Sequence, residues 1–212
     1  MIEGTVVLPS AYLAPISYYC RLLAYRNVLI EQCEHYIKQT YRNRCVIATE
    51  SGPLSLTVPV EKVAANTPVS EIRISDHGNW RHLHWQALMT AYDKTPYFEY
   101  YADDFRPFYE KRYEYLVDYN EALRELLCGL LNIEPNVALT STYASYPYAE
   151  DCRALFSPKS KTQDIHFAQK PYYQVFAQKN GFLPDLSIVD LLFNMGPESI
   201  YILKQSFVTQ YG

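Results

Sequence analysis

The stretch Thr5–Ile30, TVVLPSAYLAPISYYCRLLAYRNVLI, decides the fold prediction. Thr5–Leu8 is a short apolar run that ends at a proline, which predicts a buried strand. Pro15 then stands where the first turn of a helix tolerates proline, and apolar residues follow at helical spacing to about Tyr25. Val28–Ile30 is a second apolar run. The stretch therefore predicts a strand, a helix and a strand, which together form a βαβ unit.

Beyond this unit, the patterns predict a β-rich segment and then a largely helical half. Ser51-Gly52-Pro53 indicates a hairpin turn, and the strand candidates are Tyr41–Ala48, Leu54–Val60 and Ile72–Ile74. Helices are predicted over Trp80–Ala91, Asp104–Tyr115, Ser187–Phe193 and a stretch that Asp118 caps and that ends near Leu131. The remaining predictions are a strand at Val137–Thr140, loop from Ser141 to about Lys170, strand or helix at Tyr172–Gln178, and a last helical turn at Ile200–Lys204.

These elements predict a single domain over residues 1–212, of the α/β class. We expect an N-terminal βαβ unit with a mixed sheet, followed by a largely helical, aromatic-rich half.

Composition excludes several classes of partner. The 212 residues carry a net charge of −4 and no block of like charges, so we expect no nucleic acid and no membrane surface as partner. No run approaches the roughly 18 apolar residues of a membrane span, and no export signal is visible, so we expect a cytoplasmic protein. The five cysteines are scattered and odd in number, which favours reduced thiols and gives no zinc spacing.

The loop Pro9–Pro15 after the first strand is a candidate ligand site. In α/β folds, ligands bind beyond the carboxyl ends of strands, and Ser10 and Tyr12 could donate hydrogen bonds there. The alternative is a turn stiffened by its prolines. The sequence has no G-x-G-x-x-G and no Walker A motif, so dinucleotide and P-loop binding lose their usual support, and no motif identifies a cofactor.

The segment from Lys38 to Arg44 is basic in a net acidic chain. If the chain is extended from Tyr41 onward, Arg42 and Arg44 share one face of a strand. Two adjacent guanidinium groups repel unless an anion joins them, and a phosphate or carboxylate would do so through bidentate hydrogen bonds. Asn43 lies between them. The alternative is a solvated strand face with acidic partners.

Three of the five histidines lie within eight residues, beside both tryptophans. His77 and His82 are candidates for acid–base catalysis near neutral pH, with Trp80 as a neighbouring binding residue. His84 falls on the apolar face of its helix, so a hydrogen-bonded core histidine is favoured there. His82 and His84 point to different sides of a helix, so no metal site is expected.

Aromatic residues are dense from Tyr92 to Tyr119, in a chain that has 21 tyrosines. Aromatic faces pack against sugar rings, whereas helix packing and a homo-oligomer interface are the alternative reading of this belt. The sequence has no G-x-S-x-G elbow. A Cys/His nucleophile stays open, because Cys20, Cys33 or Cys45 could meet a histidine in space.

Several segments resemble the WbqC-like protein family. The run Leu8–Tyr18 is similar to its N-terminal P-x-Y-x-P-x-x-x-Y pattern, and the run Leu186–Pro197 is the most specific match. Further matches are Asn43-Arg44, Leu56–Val60, Trp80 to His82 and Tyr92–Phe98. The chain departs from the family at Leu8, where many relatives have Gln, and between Ser141 and Phe167, where no Ser-Gly segment is found.

The resemblance implies acyl or aminoacyl transfer to an aminosugar or sugar nucleotide in surface-polysaccharide synthesis. Chemistry alone suggests the individual roles: Lys38, Arg42 and Arg44 hold phosphates, Tyr12 and Tyr41 contact the sugar, and His77 or His82 takes a proton from the attacking amine. Ser10, Asn43 and Trp80 complete the substrate-binding set. The alternative is a non-catalytic binding or scaffolding protein that uses its aromatic belt as an interface.

Overall fold

The computed structural model describes residues 1–156 and 164–208. Its N-terminal part is the expected βαβ unit, formed by strand β1 (Ile2–Pro9), helix α1 (Ile16–Ala24) and strand β2 (Tyr25–Glu31). The two strands pair in parallel, with Val6 opposite Val28 and Leu8 opposite Ile30. All four of these side chains are buried, which explains why both strands are continuous apolar runs rather than alternating ones.

An antiparallel hairpin follows, formed by strands β3 (Arg44–Thr49) and β4 (Gly52–Thr57). The turn is where the sequence predicts it, and Gly52 adopts a φ of 105° that suits glycine. Two details of the prediction are wrong. The strand begins at Arg44 rather than at Tyr41, and Ile72–Ile74 forms only isolated bridges, to Val60 and to Tyr115.

The helical part begins with α2 (Trp80–Tyr92), α3 (Phe98–Glu110) and α4 (Leu116–Leu130). Helix α3 starts at Phe98, six residues before its predicted start at Asp104. Asp118 is not the cap of α4, because the helix already begins at Leu116. Asp118 lies instead in the first turn, where a carboxylate favours the positive end of the helix.

Two further strands complete the parallel sheet, β5 (Asn136–Leu139) and β6 (Ala149–Asp151). The strand order in this sheet is β5-β2-β1-β6, and all neighbouring strands are parallel. The antiparallel pair β3-β4 forms a separate sheet. Strand β6 falls in the segment predicted as loop, of which residues 157–163 lie outside the described residues. Its three residues are too few to give a strand pattern.

Helices α5 (Ala177–Asn180), α6 (Ile188–Met195) and α7 (Ser199–Ser206) end the described chain. Helix α6 is buried on every side except at its last residue. The amide of Ile188 donates to the carbonyl of Ala14, and the amide of Ile16 donates to the carbonyl of Leu186. This C-terminal helix is therefore fixed directly to the start of the βαβ unit.

Much of the aromatic belt packs on this helix. The ring of Phe193 lies 5.2 Å from Tyr92, 5.1 Å from Phe98 and 5.2 Å from Phe105 between centroids, and all four side chains are buried. The core reading of the belt is correct for these residues. Tyr100, by contrast, is 78% exposed.

Within residues 1–156 and 164–208, no helix combines the length and the apolar character that crossing a bilayer requires.

Candidate functional site

Buried polar side chains gather at the carboxyl ends of the parallel strands. The end of each parallel strand contributes at least one of them, and three more come from α4 and from the segment before β3. We call this set the strand-end cluster; its members are Ser10, Glu31, Glu34, Arg42, Asn43, Asn120, Thr140 and Arg153. This edge is where open α/β sheets bind ligands.

Glu31, the last residue of β2, is completely buried. Its Oε1 accepts hydrogen bonds from the amide of Cys33 at 2.7 Å and from the hydroxyl of Thr140 at 2.8 Å. Its Oε2 accepts from Nη1 of Arg153 at 3.0 Å. The guanidinium of Arg153 also lies 4.7 Å from the ring centre of Tyr143. Glu31 therefore ties the ends of β2, β5 and β6 together.

Arg42 forms the second half of the cluster. Its guanidinium makes an ion pair with Glu34, with Nε donating to Oε1 at 3.0 Å, and Nη1 donates to the hydroxyl of Thr40. The backbone carbonyl of Arg42 accepts from Nδ2 of Asn120 at 2.8 Å. The same amide nitrogen donates to Oγ of Ser10 at 3.0 Å. Arg42 thus connects the loop after β1 to α4 and to the residues after β2.

The structure does not arrange the basic segment as a clamp of two arginines. Arg42 precedes β3 and is turned inward to Glu34, whereas Arg44 is the first residue of β3 and donates from Nε to the hydroxyl of Thr57. Lys38 is exposed and Tyr41 is half-buried. The prediction that Arg42 and Arg44 share one strand face is therefore wrong, because β3 begins only at Arg44. Asn43 is buried, and its Nδ2 donates to the carbonyl of Val58.

A separate open cleft of about 1000 Å³ lies between α2 and α3. We call it the helix cleft. Trp80 and His82 line it, as the sequence suggested for a site, together with Trp85. Its charged lining residues are Asp76, Arg81, Asp103, Arg106, Glu110 and Arg112. Among the described residues, the cleft lining includes none of Lys38, Arg42 or Arg44.

The charges at one end of the helix cleft are unevenly paired. The carboxylate of Asp76 contacts Arg81 at 2.6 Å and Arg112 at 3.2 Å, so one carboxylate serves two guanidinium groups. These arginines hold the pKa of Asp76 below its usual value. The guanidinium of Arg81 also lies 4.6 Å from the ring centre of Trp80. An anionic ligand would supply the second negative charge that this arrangement lacks.

The three clustered histidines have different surroundings. His82 is exposed on the wall of the helix cleft, and His77 is exposed in the preceding loop. His84 is buried, with Nδ1 3.0 Å from the hydroxyl of Tyr12. Burial lowers the pKa of His84 to about 4, which keeps the ring neutral. The core reading of His84 is correct.

Tyr12 does not reach a surface site. It is completely buried, stacks on Tyr119 at 5.7 Å and places its hydroxyl 3.1 Å from that of Tyr109, which lines the helix cleft. The loop Ser10–Tyr12 therefore lies between the two regions, with Ser10 in the strand-end cluster and Tyr12 behind the cleft.

The cysteines offer little support for a nucleophile. Burial raises the pKa of both Cys20 and Cys45 well above the usual value, which disfavours the thiolate. Cys33 is half-buried and lies 3.5 Å from the carbonyl of Thr140. In the part of the chain that the structure describes, no group of three metal-ligating side chains is present.

Sequence reasoning missed five members of the strand-end cluster: Glu31, Glu34, Asn120, Thr140 and Arg153. Glu31 could have been found, since it directly follows the apolar run Val28–Ile30. Asn120 and Arg153 have no comparable signal, because they reach the cluster only through the packing of α4 and β6.

Comparisons with known proteins relate most of the chain to one family. A family model described as the WbqC-like protein family matches residues 10–159 and 147–202. The uncharacterized protein Rv1507c of Mycobacterium tuberculosis is 27% identical over 225 aligned residues, which cover 93% of this chain and 96% of that protein. No solved structure gave a significant match. The ranges that the family model matches contain both the strand-end cluster and the helix cleft.

Proposed function

We propose, since this chain belongs to the WbqC-like protein family, that it is a transferase that moves an acyl or aminoacyl group to an aminosugar or sugar nucleotide in surface-polysaccharide synthesis. The observation that carries this proposal is the composition of the helix cleft. It joins two guanidinium groups that share one carboxylate, a wall of two indole rings and an exposed histidine in one space of about 1000 Å³.

Each part of the helix cleft suits one part of a sugar nucleotide. Arg81 and Arg112 share a single carboxylate, so a diphosphate can add the charge that they lack. Trp85 gives a flat face for a base or a sugar ring. The phosphate-binding role that the sequence suggested for Lys38, Arg42 and Arg44 therefore passes to these arginines.

His82 is the group in this cleft best suited to proton transfer. In the proposed reaction, the amine of the acceptor attacks the carbonyl carbon of the donor, and the proton that the amine loses passes to the His82 ring. The bond between that carbon and the donor's carrier group then breaks, and the carrier leaves with the proton that His82 returns to it. An amine needs such a base because it is protonated at neutral pH. His77 precedes the helix and does not line the cleft within the described residues, so His82 is preferred.

The test measures binding of UDP-glucose, UDP-N-acetylglucosamine and acetyl-CoA by calorimetry. We expect one sugar nucleotide to bind, and Arg112→Ala to weaken it by about 10-fold or more, because a hydrogen bond to a charged group contributes about 1.5–3 kcal/mol. Arg26→Ala is the matched control, since Arg26 is also an exposed, ion-paired arginine but pairs with Glu3 outside the cleft. His82→Ala should lose turnover while the dissociation constant stays within about 2-fold of wild type.

The opposing outcome has a structural basis too. Tyr100 is exposed on α3, so the scaffolding alternative predicts an oligomer that Tyr100→Glu dissociates in light scattering. If all three ligands fail to bind and this oligomer is found, the transferase proposal is wrong.

A further inference from the structure

The two glutamates of the strand-end cluster differ in how many of their carboxylate oxygens accept hydrogen bonds from the protein. Both oxygens of Glu31 accept from protein donors, so this carboxylate is fully occupied by the fold. In Glu34, by contrast, both contacts with Arg42 among the described residues go to Oε1. The Glu34 side chain also keeps 10% of its surface exposed. Oε2 of Glu34 is therefore the carboxylate oxygen that a ligand can reach.

Two amide oxygens of the cluster are also without a partner among the described residues. Oδ1 of Asn43 and Oδ1 of Asn120 are buried and accept no hydrogen bond, although the nitrogen of each amide donates to a carbonyl. An unsatisfied buried oxygen costs about 1–3 kcal/mol. Asn43 adjoins Arg42 in the chain, and Asn120 donates to the Arg42 carbonyl, so both lie beside the arginine that holds Glu34.

Fold stability alone gives a poor account of this cluster. Removing an ion pair from water costs several kcal/mol, and well-packed apolar residues of similar size often replace buried pairs without loss. Here two such pairs, Glu31 with Arg153 and Glu34 with Arg42, lie at the edge where parallel sheets bind ligands. Burial raises the pKa of Glu34, although Arg42 opposes the shift, and perturbed carboxyls concentrate at functional sites.

The unused groups of the cluster define the chemistry of a ligand. All of them are acceptors, so a ligand must bring hydrogen-bond donors. With Asp151, which also pairs with Arg153, three carboxylates face two guanidinium groups, so a cation is favoured over an anion. An ammonium group has three donors and one positive charge, which matches both conditions.

We propose that the strand-end cluster is a second binding site, which takes a small polyhydroxylated ligand and holds its ammonium group at Oε2 of Glu34. The site is distinct from the helix cleft and adds a cation-binding region to the proposed function. Ser10 belongs to the cluster and Tyr12 lies behind the cleft, and two residues of extended chain span about 7 Å. The two sites are therefore neighbours on either side of one loop.

The test titrates three related sugars into the protein and follows the side-chain NH₂ signals of Asn43 and Asn120 by NMR. Glucosamine carries an ammonium group, N-acetylglucosamine replaces it with a neutral amide, and glucuronate carries a negative charge. We expect glucosamine to shift the signals and saturate, N-acetylglucosamine to bind at least about 10-fold more weakly, and glucuronate to cause no shift, since the charged hydrogen bond contributes about 1.5–3 kcal/mol. Absence of a glucosamine shift, or equal shifts from glucuronate, would overturn the proposal.

Glu34→Gln is the matching protein variant. It preserves the shape of the side chain and removes the charge, so glucosamine binding should fall at least about 10-fold. Glu121→Gln is the control, because Glu121 is similarly shielded and pairs with Arg124 outside the cluster. Equal loss in both variants would also overturn the proposal. If Glu34→Gln does not fold, the comparison of the three sugars on the wild-type protein still decides.

The outcome is separable from that of the proposed function. Binding of UDP-glucose is read from the indole N–H signals of Trp80 and Trp85, which are in the helix cleft. Loss of the indole response with an intact glucosamine response would count against the sugar-nucleotide proposal alone, and the reverse would count against the second site alone.

Discussion

His84 stands on α2 with its ring turned into the core, and this orientation fixes its protonation. The ring contacts the hydroxyl of Tyr12 and lies 5.1 Å from Trp80 between centroids, so the imidazole is almost completely removed from water. Burial lowers the pKa of His84 to about 4, while a backbone hydrogen bond with Thr57 acts in the opposite direction. The neutral ring has one N–H donor and one acceptor nitrogen. Its Nδ1 forms a hydrogen bond with the hydroxyl of Tyr12, which forms another with the hydroxyl of Tyr109.

This shift predicts a loss of stability in mild acid. The unfolded chain protonates His84 from its usual pKa of 6.5 downward, whereas the folded protein resists until about pH 4. Stability from this group is therefore complete above pH 6.5 and is lost as the pH falls through that window, by up to about 3 kcal/mol. Urea unfolding of wild type and His84→Gln between pH 8 and pH 4.5 should give a flatter pH profile for the variant. Parallel profiles would contradict the assignment.

Asp185 changes the stability with pH in the direction opposite to His84. Burial raises the pKa of Asp185 from 3.8 to about 6, while hydrogen bonds from Ser17 oppose the shift. Its contribution to stability is complete below pH 3.8 and is lost as the pH rises through 6. In the wild type, Asp185 therefore offsets part of the loss from His84 on acidification. Asp185→Asn should make the acid loss steeper.

At the scale of elements, the end of α6 depends on a glycine. Gly196 has a φ of 52°, in the left-handed region, and terminates the helix. An added Cβ would lie 2.4 Å from the ring of Tyr97. The backbone of Tyr97 is itself fixed, because its amide donates to the carbonyl of Phe193. Neither the backbone nor this ring leaves room for a side chain.

Gly196→Ala should therefore lower the free energy of unfolding by about 2 kcal/mol or more, from the left-handed conformation and the clash together. Gly129→Ala is the matched control, since Gly129 lies inside α4 with nothing within 4 Å of an added Cβ. That variant should gain about 0.5–1 kcal/mol, because alanine favours a helix interior. Urea unfolding of both measures the contrast, and equal effects would refute the close approach to Tyr97.

Helix α2 also explains why the belt and the histidines have mixed roles. Its inward face carries His84, Leu88 and Tyr92, which are buried, while His82 faces the helix cleft. A helix repeats every 3.6 residues, so neighbours in sequence divide between core and solvent. The histidine-rich run therefore does not form a single cluster: His84 belongs to the core, and His82 is a candidate site residue.

At the scale of the whole molecule, the last helices close the structure around its first loop. The hydroxyl of Ser187 donates to the carbonyl of Leu13 at 2.7 Å, and its amide donates to the carbonyl of Val46 at 2.8 Å. Leu191, Leu192 and Phe193 are completely buried behind them. The C-terminal part therefore completes the core that the βαβ unit begins.

A chain shortened to residues 1–185 should consequently fail to fold. It would lose seven buried apolar side chains from the core, and fully burying such a side chain contributes about 1.5–3 kcal/mol, whereas a domain has only about 5–15 kcal/mol in total. Far-UV circular dichroism and urea unfolding would show this as the loss of a cooperative transition. The full chain should unfold in one transition, in line with the prediction of a single domain over residues 1–212. A shortened chain that unfolds cooperatively would separate the two parts.

The sequence by itself determined the local elements and the family. Apolar runs predicted β1 and β2, a proline and helical spacing predicted α1, and Ser51-Gly52-Pro53 predicted the hairpin, because each pattern depends on contacts between near neighbours. The same reasoning placed Ser10 at the end of the first strand and His84 in the core, both correctly. The transferase reaction, the roles of the site residues, the cytoplasmic location and a homo-oligomer stay predictions.

Only the tertiary structure decided which of the candidate residues lie together. Arg42 pairs with Glu34 and does not lie beside Arg44 on one strand face, since the strand starts three residues later than the sequence predicts. Asn120 reaches the strand-end cluster from α4, and Arg153 reaches it from the turn after β6, both far along the chain. Such contacts depend on packing between distant elements, and no local pattern in the sequence records them.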